Sequence, residues 1–228
     1  MTFTKRAAIV VAMALTAASG AWAQRGGTGG MGMGPQPPMP GLQNPVVGSG
    51  AQYVMTINGK PMDVAYAIVG KEDVSGSPGF WLEMRMQNPE LGGEMITKML
   101  VVNQGPDAGV KRMIMQRPGQ PPMEMGSFLM GMMKSHQPPP SGGKADLGEL
   151  VGTETVTVPA GTFNCQHYRK QQTGGKTVDM WTSAQVTPYA VVKLASGQMT
   201  MQLQKNLTDE SSHVKGEPQK MQFPGMPQ

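Results

Sequence analysis

The side chains best suited to proton transfer or metal binding are few: three histidines, one cysteine and 15 acidic residues in 228. His136, His167 and His213 lie far apart and fit no His-x-Glu or His-x-x-x-His spacing. No two imidazoles are therefore placed on one face of one element as a zinc pair would be. His167, beside Tyr168, reads as a half-buried structural residue. Cys165 has no second cysteine to bond with, which excludes an internal disulfide and any multi-cysteine zinc or iron–sulfur site. It alternates with Phe163 on an apolar face and is expected to be a buried, inert thiol. Glu154 and Asp179 could approach across neighbouring strands as an acid/base pair, but Arg169, Lys170 and Lys176 offer plain ion-pair partners. The sequence has no Gly-x-Ser-x-Gly elbow, and the glycines of Gly30–Gly34 follow no strand and open no helix, so they do not cradle a phosphate. The expectation is a protein without catalytic residues, cofactor or metal site in its folded part.

Methionine is the unusual composition signal, with 23 residues. Met31/Met33, Met84/Met86, Met113/Met115, Met123/Met125, Met130/Met132 and Met199/Met201 are spaced Met-x-Met, which in a strand puts both thioethers on one face. Thioethers are soft ligands that select Cu(I), and they are also adaptable apolar filler. For the strand pairs, whose faces also carry Phe80, Leu82 and Leu203, filler is the plainer reading. In the leader, Met31, Met33 and Met39 have no core to serve, so copper is a candidate there.

These residues must be positioned by strands. Thr155 to Val158 alternate polar with apolar, Pro159-Ala160-Gly161 turns the chain, and Phe163, Cys165 and His167 share a face on the return. Val178/Met180, Ala190/Val192/Leu194 and Met199/Met201/Leu203 continue an antiparallel meander. Upstream, Tyr53/Met55/Ile57 and Met62/Val64/Tyr66/Ile68 flank the hairpin turn Asn58-Gly59. Phe80, Leu82, Met84 and Met86 alternate with Trp81, Glu83, Arg85 and Gln87, a strand with one wet face. Met95 to Val102 is apolar on both sides and expected to be central, and Val110 to Arg117 follows. Phe128, Leu129, Met132 and Met133 recur at helical spacing, which predicts one short helix between Glu124 and His136.

Lys5-Arg6, the apolar run from Ala7 to Ala18 and Ala21-Trp22-Ala23 are the zones of a secretory signal peptide over residues 1–23. A periplasmic or secreted location is expected, and the mature chain is not expected to span a membrane. Residues 24–50 form a Gly/Met/Pro-rich leader expected to be disordered. The β-rich domain is placed at 51–207 with a loop and helix insertion at 118–145, and a disordered polar tail at 208–228. The net charge of +4 falls when Lys5 and Arg6 leave with the signal, and no dense basic cluster remains for nucleic acid.

Gly152-Thr153-Glu154, Val158-Pro159-Ala160-Gly161-Thr162-Phe163, Cys165, His167-Tyr168, Trp181, Pro188, Val192 and Lys193 carry a local resemblance. Residues 149–195 resemble uncharacterised exported bacterial proteins whose strand-rich domains are similar to the lipoprotein localisation carriers. The resemblance implies a curved antiparallel half-barrel over an apolar cavity, although this sequence offers one lid-like helix where such carriers have more. No functional residue of those carriers maps onto this chain. The resulting expectation is a mainly β single domain of about ten strands. Phe80, Leu82, Met84 and Met86 would line an apolar pocket under a lid carrying Phe128, Met132 and Met133, and the pocket would take a lipid or other apolar ligand. An envelope module that contacts other envelope proteins without a ligand is the alternative.

Overall fold

The computed structural model describes residues 39–88, 92–103, 108–126, 130–131, 146–172, 175–197 and 199–220. They lie in the unit Pro38–Gln228, so the expected signal peptide and most of the leader fall outside the described residues. All ten expected strands are present: β1 (Gly50–Ile57), β2 (Lys60–Val74), β3 (Ser77–Asn88), β4 (Gly93–Val102), β5 (Gly109–Gln116), β7 (Glu149–Val158), β8 (Gly161–Gln171), β9 (Thr177–Thr182), β10 (Val191–Ser196) and β11 (Met199–Leu207). Two short strands add to them, β6 (Met123–Glu124) and β12 (Gln219–Lys220).

The chain forms one mainly antiparallel sheet in the order β12-β6-β5-β4-β3-β2-β1-β11-β10-β9-β8-β7. Each half is a meander because short turns force sequential strands to pair. Asn58 and Gly59 take φ of 51° and 78°, the left-handed pair that a two-residue hairpin needs. The halves join where β1 pairs with β11, Tyr53 opposite Leu203, and the Tyr53 hydroxyl donates to the Val191 carbonyl of β10, 138 residues away, at 2.9 Å. The sheet stays open, with β12 and β7 at its edges. At the second end it rolls back on itself: Ala160, in the β7–β8 turn, donates its N–H to the Leu203 carbonyl of β11 at 3.3 Å.

Tyr53, Val64, Tyr66, Leu82, Met84, Leu194, Met201 and Leu203 are closed to solvent, and the register sets them on one apolar face. β4 lies between β3 and β5 and buries side chains on both sides, among them Ile96, Thr97, Leu100 and Val102. That matches its two apolar faces in the sequence.

Three expectations need correction: the helical start at Glu124, the loose tail and the loose leader. Glu124 belongs to β6, paired with Ile114, because its carboxyl anchors Arg112 at 2.7 Å across the ladder. Of the expected helix, Met130 and Gly131 have helical backbone, with the Met130 N–H on the Gly126 carbonyl at 3.1 Å, while Phe128, Met132 and Met133 lie outside the described residues. Residues 208–220 are not a loose tail. They cross the sheet and end in β12, which pairs in parallel with β6. The leader likewise attaches before residue 51: Leu42 is buried, the Gln43 N–H reaches the Pro188 carbonyl and the Gly48 N–H that of Ile68.

Candidate functional site

The face of β3 expected to be wet is covered instead. Glu83 is fully closed to solvent and Arg85 is 5% exposed, because residues 210–213 lie over them. Alternation could not distinguish this from a solvated face, since polar residues facing a polar strap read the same as polar residues facing water. Glu83 accepts the Ser212 hydroxyl at 2.7 Å and the His213 backbone N–H at 2.9 Å. Lys98 donates to Ser212 Oγ at 3.1 Å, and Arg85 Nη2 meets Glu210 Oε2 at 2.6 Å. His213 lies between Glu94, at 2.9 Å from Nδ1, and Arg85. Arg85 can only donate, so Nε2 accepts and Nδ1–H points to Glu94. Further out on the same face, Trp81 donates its indole N–H to Glu72 at 3.0 Å, with Lys98 and Arg112 each 5.1 Å from its ring centroid. The Glu124 hydrogen bond raises the Arg112 pKa against the opposing effect of burial.

A second polar cluster sits on β7–β10. Glu154 and Asp179, the candidate acid/base pair, are indeed brought together, but on opposite sides of one imidazole. His167 Nδ1 is 3.0 Å from Glu154 and Nε2 is 2.7 Å from Asp179. The ring stacks on Trp181 at 4.5 Å, 16° from parallel, and Trp181 donates its indole N–H to Glu154. Lys193 covers the Trp181 ring at 4.9 Å. Burial pushes the Asp179 carboxyl up, but hydrogen bonds from His167 and from Arg169, at 2.8 Å, outweigh it and hold the group below the usual range. Both ring nitrogens of His167 are taken, so the arrangement positions an imidazole without leaving it a free nitrogen for substrate. Cys165 is fully buried, and desolvation together with the Glu154 charge raises its pKa, the reverse of an activated thiol.

The apolar face carries the expected pocket residues. Leu82 and Met84 are buried, while Phe80 and Met86 are half-buried. The register gathers methionines that sequence spacing could not relate to one another. Met86 is directly opposite Met95, Met99 opposite Met113 and Met115 opposite Met123, all on the Leu82/Met84 side. Met86, Met99, Met115 and Met123 are half-buried and fringe the closed side chains. Over β1 and β2 the same face is capped by Tyr189, whose ring meets that of Tyr66 edge-on at 5.3 Å, and Tyr66 meets Tyr53 at 6.0 Å. The methionine-fringed part over β3–β6 thus adjoins a rigid aromatic block.

No protein-family model and no curated protein matches the sequence. Among solved structures, the chain is similar to a protein of Parabacteroides distasonis provisionally described as a lipoprotein, at 12% identity and a TM-score of 0.37, over 75% of this chain and 100% of that one. It is similar at the same identity and TM-score to a provisionally described exported protein with a YmcC-like fold from Bacteroides fragilis, over 73% of this chain and 99% of that one. At that TM-score neither likeness bears on function. Neither protein is described as a lipoprotein localisation carrier, so that resemblance still rests on residues 149–195 alone.

Proposed function

We propose that this chain is an exported, non-enzymatic protein of the cell envelope that holds an apolar ligand, such as a lipid chain, along the face of β3 that carries Phe80, Leu82, Met84 and Met86. The observation that carries this is the contrast within β3. One side is already filled by the chain's own residues 210–213, while the other sets half-buried Phe80 and Met86 around closed Leu82 and Met84. Methionine's unbranched thioether repacks at little cost, which suits a surface that must admit an apolar guest. The signal-like residues 1–23 support export. The absence of enzymatic activity is supported by the engaged ring nitrogens of His167 and His213 and by the buried Cys165. Among the described residues no helix is long and apolar enough to cross a membrane.

The test is titration with a fluorescent apolar probe. Met86→Asp, at the half-open rim, should weaken binding at least about tenfold, or about 1.4 kcal/mol, with little change in melting temperature. Leu82→Asp should instead unfold the domain, because a charge would replace a fully buried side chain. Absence of saturable probe binding by the wild-type protein would remove this function.

A second reading rests on β7. Among the described residues this ten-residue edge strand pairs only with β8, and Leu150 and Val151 on it are each 51% exposed. An edge strand with exposed apolar residues is a place where another strand can add, which fits an envelope interaction module. Val151→Lys should abolish any concentration-dependent association seen by analytical ultracentrifugation. An unchanged sedimentation profile would count against this second reading.

A further inference from the structure

Met113 and Met115 on β5 face Met125 and Met123 across a single ladder. Met115 is directly opposite Met123, and the Met125 N–H donates to the Met113 carbonyl at 2.9 Å, keeping the next pair in register. Four methionines therefore mark a rectangle about 5.5 Å across the strands and about 6.8 Å along them, all on one face. Three rotatable bonds let each side chain bend over the centre of such a rectangle. Met113 and Met125 are buried and Met115 and Met123 half-buried, which gives a closed floor with an open mouth. Met99, directly opposite Met113, stands beside it as a fifth thioether. Arg112 and Glu124 of the same strands alternate onto the other face, where they pair with each other at 2.7 Å, while Lys111 lies at the register shift between Arg112 and Val110.

We propose that Met113, Met115, Met123 and Met125 form a thioether site for a soft monovalent d10 cation, Cu(I) in the first instance. A donor set of neutral, polarisable sulfurs favours Cu(I) and offers nothing to Mg²⁺, Ca²⁺ or Zn²⁺, which need oxygen, imidazole or thiolate ligands. Simple filling of a core does not account for the pattern. Where the apolar face is closed over β1–β3, its residues include stiffer or aromatic side chains such as Tyr53, Val64 and Ile68. At the β5–β6 corner all four positions are methionine, two of them half-open. The site is separate from the Phe80/Met86 rim that serves the apolar ligand, and neither depends on the other.

The experiment is anaerobic Cu(I) titration of the full chain against a chromophoric Cu(I) chelator, with copper K-edge spectroscopy of the loaded protein. Three proteins are compared: wild type, the leader variant Met31→Leu/Met33→Leu/Met39→Leu, and the corner variant Met115→Leu/Met123→Leu. Leucine keeps the apolar volume and removes only the sulfur. Wild type and leader variant should each hold one Cu(I) with a sulfur-only shell, and the corner variant should lose that ion while its melting temperature and apolar-probe affinity stay unchanged. Copper lost only in the leader variant, copper retained in the corner variant, or nitrogen or oxygen neighbours in the spectrum would overturn the site. If the corner variant does not fold, the single variants Met115→Leu and Met123→Leu take its place and should each weaken the chelator competition. Loss of probe binding in Met86→Asp with copper retained would show the two sites failing or surviving separately.

Discussion

Arg85 Nη2 and Glu210 Oε2 lie 2.6 Å apart across 125 residues of sequence, and the pair fastens the C-terminal segment to β3. Arg85 is nearly closed to solvent while Glu210 keeps 17% of its side-chain exposure, so the strap side of the pair is the one that can still reach water. Removing Glu210 leaves a buried guanidinium without its anion, which costs more than the pair itself contributes. Glu210→Ala should lower stability by about 2 kcal/mol, the low end for a buried pair because one partner is partly hydrated. Deletion of residues 208–228 should cost more, since Glu83 then also loses Ser212 and the His213 N–H. Urea midpoints measure both. A deletion as stable as wild type would mean that the strap contributes nothing to the fold.

The tyrosine block makes the fold sensitive to alkali. Burial holds the phenols of Tyr53 and Tyr189 well above the ordinary range, with neighbouring tyrosines adding to it, and lifts Tyr66 to about 12. These folded values exceed the unfolded value of about 10, so the neutral phenols stabilise the fold fully below that pH. The contribution is lost as pH rises through the folded values. Phenolate absorbance from these three residues should therefore appear only with unfolding, and Tyr66→Phe should make the loss of stability between about pH 10 and 12 shallower. Early, reversible titration of all phenols in the native protein would contradict the packing.

Cys165 should resist thiol reagents in the folded protein. It is fully buried, and both burial and the Glu154 charge disfavour the thiolate. Labelling should follow global opening, speeding up in sub-denaturing urea in proportion to the unfolded fraction. A fast native rate independent of urea would mean that the thiol is locally exposed.

Two glycines should behave oppositely. Gly148 has φ of +90°, and a Cβ there would fall on the backbone carbonyl of Arg169, which cannot move without unpairing the start of β7. Gly148→Ala should cost about 1–3 kcal/mol and raise hydrogen exchange at Glu149 and Leu150. Gly152 has open space around its Cβ direction and no positive φ, so Gly152→Ala should be neutral or stabilise by about 0.5 kcal/mol. Comparable losses at both sites would argue against the placement of β7.

Local chemistry alone determined the strands. Phe80/Leu82/Met84/Met86 and Val178/Met180 alternate with period two because a pleated strand can bury only every second side chain. Asn58-Gly59 and Pro159-Ala160-Gly161 mark turns because few residues accept their backbone angles, and Gly161 does take a φ of 131°. Those signals span a few residues and are legible without a fold. Pairings between distant segments are not, because period two says which side chains share a face and not which strand lies alongside. Only the tertiary structure joined β1 to β11, set Met115 opposite Met123 and placed Glu154 and Asp179 on either side of His167. It also decided the fate of residues 208–220. Their polar composition reads as solvated chain until Glu83 and Arg85, on a face that looks wet in one dimension, prove to be buried charges whose partners are Glu210, Ser212 and His213. A buried charge requires a partner, and sequence periodicity carries no information about one that arrives 125 residues later.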